Sequence, residues 1–412
     1  MSKLTKFLSK DIISDLPRSI SDLILTKLPI RDAVRTSILS RKWRYQWRTM
    51  TELVFDDKSL CLRDDKNVAE KEFVDFIMRF LMLHNAPIQK FKLSASYLKK
   101  STDIYQWLLV VSRKDIKELV LNVHGQEWKW DNPGLSIPRI IFTFQKLNRL
   151  MLSAFTVKPP VEFQGYPCLK YLELDGVTIT LKVIENLISG CPLLEKFKFC
   201  NMDRLALTIR APNLKHLIVD GNFEDLYLEH TPLVVAISIC FYPLVWRGDI
   251  LRKVPVTYDY LKSIEIKKMA YNDLDKVVYV LHLLLQSPNL QELQISSPDL
   301  TFDERAIIDH GEAPDPPHYK SADFDIWERL CPADFTFKHL RAAKLSHIFT
   351  KNEMEFVKFV LGRSPLLEVI SISLDTENGD ALAAVNEVLR FQRASPGVEI
   401  SFFEGSPRYS LL

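Results

Sequence analysis

"GYPCLKYLELDGVTITLKVIENLISGCPLLEKFKF", Gly165 to Phe199, states one short phrase twice, first from Leu169 and again from Leu194. Large apolar residues hold the first, fourth and sixth places: Leu169, Leu172 and Leu174, then Leu194, Phe197 and Phe199. Alternation with period two sends the fourth and sixth side chains to the core side of a strand and the residues between them outward. The first residue, three places earlier, fills the turn that leads into the strand. Between the copies, "TLKVIENLISGCP" carries apolar residues at helical spacing and reads as a helical return.

Working outward, the phrase recurs from Ile88, Ile116, Leu147, Leu169, Leu194, Leu214, Val234, Leu261, Leu290, Leu340 (the weakest copy) and Leu367. Successive starts are 28, 31, 22, 25, 20, 20, 27, 29, 50 and 27 residues apart. Most of these spacings lie in or near the range of leucine-rich repeats, about 20–29 residues. Pro stands at a fixed offset before many copies. "LDKVVYVLHLLLQSP" and "NEMEFVKFVLGRSP" are further helical returns. One unit cannot bury its apolar face, but a stack of ten or so makes a continuous core. The expected fold is α/β, a curved leucine-rich-repeat solenoid of horseshoe form. The spacing of 50 holds an acidic insertion at about 297–325, in which residues 299–325 carry eight acids against two bases. Such a stretch is either a solvated insertion or a loop contributing to target recognition.

The N-terminal fifty residues differ. They hold eleven Lys/Arg against four Asp, a net +7 in a chain whose total is +2, which marks a separate functional unit. Pro17 suits the first turn of a helix, Ile20, Leu23, Ile24 and Leu28 follow at helical spacing, and Pro29 closes the segment. Asp32 is placed to cap a second helix with Ala33, Val34, Ser37 and Ile38. Ser40 is placed to cap a third, with Trp43 and Trp47 one turn apart. Three helices in about 35 residues make too small a core to be stable alone, so part of the apolar surface is expected to meet a partner. A helix-turn-helix that binds nucleic acid is the competing reading of the basic "SRKWRYQWR".

The residues Leu16, Pro17, Ile20, Leu23, Ile24, Leu28, Pro29, Ala33, Thr36, Ser37, Leu39, Ser40, Arg41, Trp43 and Trp47 resemble a plant F-box over most of its length. Arg18-Ser19 departs from it, since acidic residues are common there. The Gly165–Phe199 stretch likewise resembles the irregular leucine-rich repeats of plant F-box proteins, and the last ~80 residues resemble the FBD region found with them. The resemblance implies an F-box over 10–50, a repeat array over 51–330 and FBD-like repeats over 331–405. It implies a substrate receptor of an SCF-type ubiquitin ligase that docks a Skp-type adaptor, and through it a cullin-RING complex. The adaptor site would be Leu16, Pro17, Ile20, Leu23, Ile24, Leu28, Pro29, Leu39 and Trp43. A target protein would bind the outward strand positions Tyr171, Glu173, Lys196, Lys198, His216, Glu265, Glu292 and Gln294, with Asp175, Asp220 and Lys267 beside them. The alternative is a leucine-rich interaction scaffold outside the ubiquitin system.

No catalytic signature accompanies these features: there is no H-E-x-x-H, G-x-S-x-G, P-loop or G-x-G-x-x-G. Nine dispersed His and six scattered Cys without C-x-x-C offer no metal spacing and suit a reducing compartment. The opening "MSKLTKFLSK" lacks the apolar core of a signal peptide, and "DKVVYVLHLLLQ" is too short to span a bilayer. The expectation is a non-enzymatic intracellular protein, nuclear and/or cytoplasmic, with no cofactor, no nucleic-acid partner and no membrane association.

Overall fold

The computed structural model describes residues 13, 15–57, 66–96, 98, 100–123, 134–241, 257–297, 326–348, 351–374 and 381–404. Two compact units divide the chain, residues 1–183 and 184–412. The acidic insertion, apart from Ser297, lies outside the described residues.

The first unit opens with α1 (Arg18–Lys27) and α2 (Ile30–Arg35). Leu-Pro precedes each helix, and Pro17 and Pro29 stand at the N-cap positions. Asp32 therefore lies inside α2, where it pairs with Arg35 at 3.1 Å, and is not the cap expected of it. The expected third helix is absent. Ser40 Oγ does accept from the Trp43 N–H at 3.4 Å, but turns follow and only a 3-10 turn forms, Gln46–Thr49. The two indoles account for this, because they are drawn to different neighbours. Trp43 Nε1 donates to the Ile13 carbonyl at 3.0 Å, whereas Trp47 packs on Phe80 at 4.8 Å. An α-helix would hold residues four apart on one face against one neighbour.

The strands then follow: β1 (Glu52–Asp56), β2 (Lys90–Ser94), β3 (Glu118–Asn122), β4 (Leu135–Ser136), β5 (Arg149–Ser153), β6 (Phe155–Thr156) and β7 (Tyr171–Asp175). Helices α3 (Lys66–Leu83) and α4 (Ser101–Val111) join the first three. The main sheet of this unit runs β1-β2-β3-β5-β7, all in parallel register. The second unit begins within α5 (Leu181–Ser189) and carries β8 (Lys196–Ile209), β9 (His216–Leu228), β10 (Ala236–Phe241), β11 (Ser263–Lys267), β12 (Glu292–Ser296), β13 (Ala342–Ile348), β14 (Val369–Leu374) and β15 (Glu399–Glu404). Its helices are α6 (Leu274–Leu285), α7 (Ile326–Leu330), α8 (Lys351–Arg363) and α9 (Ala381–Arg390). These eight strands also pair in parallel and in chain order, and the sheet is open.

Each of the eleven phrases forms a strand beginning at its third residue, with the first, fourth and sixth side chains inside, as at Leu169, Leu172 and Leu174. Two backbone devices repeat with it. A tight turn delivers the first residue: the N–H of Leu169 reaches the Tyr166 carbonyl, Leu194 reaches Cys191, Leu290 reaches Ser287 and Leu367 reaches Ser364, at 3.1–3.3 Å. Pro167, Pro192, Pro288 and Pro365 occupy the second turn position, where a fixed φ helps and no N–H is required. The carbonyl of the second residue then accepts two N–H groups from the next phrase. Asn148 takes Lys170 and Tyr171 at 2.8 and 3.0 Å; Glu195 takes Lys215 and His216 at the same distances. That shared acceptor fixes register from repeat to repeat. Where the spacing falls to 20 residues there is no room for a helix, and strand pairing continues instead, with Leu207 opposite Leu226 and Ile209 opposite Leu228.

Candidate functional site

Helix α1 has apolar residues on two sides. Leu25 is buried against the module interior, with Ile30 and Ala33 of α2, Trp43, Trp47 and Met50. Ile20, Leu23 and Ile24 face outward at 43, 55 and 36 % exposure; Ile38 and Leu39 on the turns after α2 stand at 87 and 51 %. Pro17 and Pro29 are exposed, while Leu16 and Leu28 are half-buried at either end of the helix. Eight of the nine residues expected at the adaptor site thus have surface to offer. Trp43, the ninth, is 1 % exposed and packs inside, so it supports the face without belonging to it. Ile38, expected on the second helix, lies instead in the 3-10 turn Thr36–Ile38 and is the most exposed residue of this group.

The module is fastened to the first repeat by polar as well as apolar contacts. Arg48 presents its carbonyl to the Asn85 N–H at 3.1 Å, and Thr51 presents its carbonyl to Gln89 and Lys90. His84, buried at the end of α3 and stacked on Phe80, places Nε2 2.7 Å from the Met50 carbonyl. Burial holds the imidazole pKa below its usual 6.5; the Met50 hydrogen bond opposes that effect and the nearby Lys114 charge adds to it. This joint was not foreseen from the sequence, because His84 lies outside every phrase.

The outward strand positions form rows set by register. In the first unit, the row Glu52, Lys90, Glu118, Arg149, Tyr171 crosses five strands, with Lys90 and Glu52 paired at 3.4 Å. Tyr171 donates its hydroxyl to Glu173 Oε2 at 2.6 Å, and Glu173 is only 9 % exposed, so this predicted target contact is largely withdrawn from solvent. Asp175 accepts from Ser153 at 3.1 Å. In the second unit Lys196 lies in register with His216, and Glu265 with Gln294. Ser238 donates to Glu265 at 2.5 Å and Lys267 pairs with Glu265 at 3.2 Å. Glu292 and His216 are exposed and Lys198 is half-buried. Lys196, Lys198 and His216 thus lie on β8–β9 together with Asp220, and Glu265, Glu292 and Gln294 on β11–β12 together with Lys267. Arg149 was missed, although alignment of the phrases puts it at the same third position as Tyr171.

Among the described residues no group of three or more His, Cys, Asp or Glu is arranged to hold a metal ion, and the five described cysteines are free thiols. No described helix is long and apolar enough to cross a membrane. Parallel-strand repeats with an N-terminal helical module that exposes an apolar face are the architecture of a leucine-rich-repeat protein. An F-box domain model matches residues 13–54, and a model of the repeats of the FBD-associated F-box protein At5g56370 matches residues 104–249. The chain is 39 % identical to the F-box/FBD/LRR-repeat protein At1g13570 of Arabidopsis thaliana, over 96 % of this chain and 99 % of that one. It is 29 % identical to the F-box/FBD/LRR-repeat protein At2g04230 over 55 and 50 % of the two chains. The F-box/LRR-repeat protein At4g14096 shares 28 % identity over 70 and 62 %; both are also from Arabidopsis thaliana. The chain belongs to the F-box/FBD/LRR-repeat family, whose members are generally non-catalytic adaptors and typically recruit substrates for SCF ubiquitin ligases.

Proposed function

We propose that this chain is the substrate receptor of an SCF-type ubiquitin ligase, docking a Skp-type adaptor through its N-terminal module and a target protein through its repeats. The observation that carries the proposal is the exposed apolar face of Ile20, Leu23, Ile24, Ile38 and Leu39, lying within the residues that the F-box model matches. Left in water, such side chains forgo about 1.5–3 kcal/mol each, which an apolar partner surface recovers. Leu16, Pro17, Leu28 and Pro29 complete the adaptor face. The interface is of standard size, about 1,600 Å² in total. Excess basic charge around it favours an acidic partner.

The receptor performs no bond chemistry. It holds a target beside a ubiquitin-charged partner, and its contribution is effective concentration and orientation. The target contacts are Tyr171 on the first unit, backed by the largely buried Glu173, and, on the second unit, Lys196, Lys198, His216, Glu265, Glu292 and Gln294. The F-box spans 10–50, the repeats 51–330 and the FBD-like region 331–405, and the protein works in the nucleus and/or cytoplasm.

Co-purification of the full chain with a recombinant Skp-type adaptor tests the proposal. Intact protein is expected to retain adaptor, and Ile20→Glu with Leu23→Glu to abolish retention while circular dichroism stays unchanged. Failure of folded, intact chain to retain any adaptor would leave the scaffold reading in its place.

A further inference from the structure

Arg149 is the one arginine in the outward row of the first unit. Its guanidinium lies over the Tyr171 ring, 4.3 Å from the centroid, on the neighbouring strand. Tyr171 is itself held, since its hydroxyl is bound to the largely buried Glu173 at 2.6 Å. A stacked guanidinium keeps its in-plane N–H donors directed sideways, and the stacking removes much of the rotamer freedom that a visitor would otherwise have to freeze out. Among the described residues Arg149 makes no ion pair. Glu118, in register with it across β3, stays beyond ion-pair distance, whereas Lys90 in the same row has Glu52 at 3.4 Å. The next outward row holds Lys92, Val120, Met151 and Glu173, of which Val120 and Glu173 are buried.

We propose that Arg149, braced on Tyr171, is a specificity-determining residue that reads an anionic side chain, carboxylate or phosphate, on a peptide segment of the target laid across β3–β7. The inference rests on the receptor reading above and names the target chemistry for it. Charge complementarity sets the occupant: the fork of guanidinium donors matches the two oxygens of a carboxylate or phosphate, and Lys in its place would offer only a point charge.

The test uses the full chain and three oriented peptide libraries, with Ser, Glu or phosphoserine fixed at the centre of otherwise randomised sequence. Retention of the Glu or phosphoserine library is expected to exceed that of the Ser library at least tenfold. The stronger of the two identifies the source of the anion. Arg149→Ala and Arg149→Lys are each expected to reduce that preference about tenfold or more, and Tyr171→Phe, which keeps the stacking ring, to reduce it less. Adaptor capture by the same variants stays intact, which separates this inference from the receptor reading. Equal retention of all three libraries, retention of none by a chain that still captures adaptor, or a preference that survives Arg149→Ala would overturn it.

Discussion

Ile24 and Leu25 are neighbours of nearly equal hydrophobicity with opposite duties, and the contrast separates folding from docking at single residues. Leu25 is buried and Ile24 is not. Leu23→Ala removes exposed surface, so stability should change by no more than about 0.5 kcal/mol while adaptor retention falls. Trp43→Phe should do the reverse. It deletes the hydrogen bond to Ile13 and leaves a gap, costing about 1–3 kcal/mol in urea unfolding, with retention intact at saturating adaptor. His84 adds a pH dependence. Its folded pKa lies below 6.5 because the ring is buried neutral, so on acidification the unfolded chain takes up this proton first. Its contribution is complete above about pH 6.5 and is lost as pH falls through the folded value. His84→Phe keeps the stack on Phe80, so between about pH 7 and pH 5 it should lose less stability than the wild type. Parallel losses in the two proteins would remove His84 from the account.

At the scale of elements, what the sequence made legible was periodic and what it hid was not. Eleven phrases became eleven strands because a first, fourth and sixth apolar residue is the mould of one repeat. Strands β1 and β15 escaped for particular reasons. The phrase of β1 begins with Met50 on the border of the N-terminal module, and that of β15 has Gly397 where the aliphatic belongs. On α1 the apolar stripe was legible but its direction was not, since spacing cannot say which of two apolar sides meets the protein. The third helix failed because Trp43 and Trp47 are pulled apart by neighbours distant in sequence. Helix α6 carries a feature no pattern announces. Asp273 caps it, accepting from Asp275 and Lys276 N–H groups, and its other oxygen lies 3.4 Å from the buried Lys276 ammonium. Burial lowers the pKa of Lys276, and Asp273 opposes the shift. Asp273→Asn keeps a cap acceptor yet strands the ammonium, so it should cost about 3–5 kcal/mol. Asp273→Asn with Lys276→Met should recover most of that loss, and additivity in a double-mutant cycle would show that the pair is uncoupled.

At the scale of the whole molecule, a stack of repeats distributes its stability locally, because each strand meets only the strands before and after it. The outward face can therefore vary residue by residue without disturbing the core rows beneath. The same locality makes damage local. Leu293, buried on β12, lies in register between Ile264 of β11 and Ala343 of β13, so one of its two flanks is already small. Leu293→Ala places alanines on adjacent rungs, where the surrounding chain has little side-chain volume with which to refill the space. The expected cost is at the upper end for such a truncation, about 3–5 kcal/mol. Hydrogen exchange should show the loss of protection concentrated in β11, β12 and β13, with β8 and β9 changed far less, and adaptor retention by the N-terminal module preserved. Uniform loss across every strand of the second unit would instead mean that this unit unfolds as a single cooperative block, and that its target face could not be remodelled one repeat at a time.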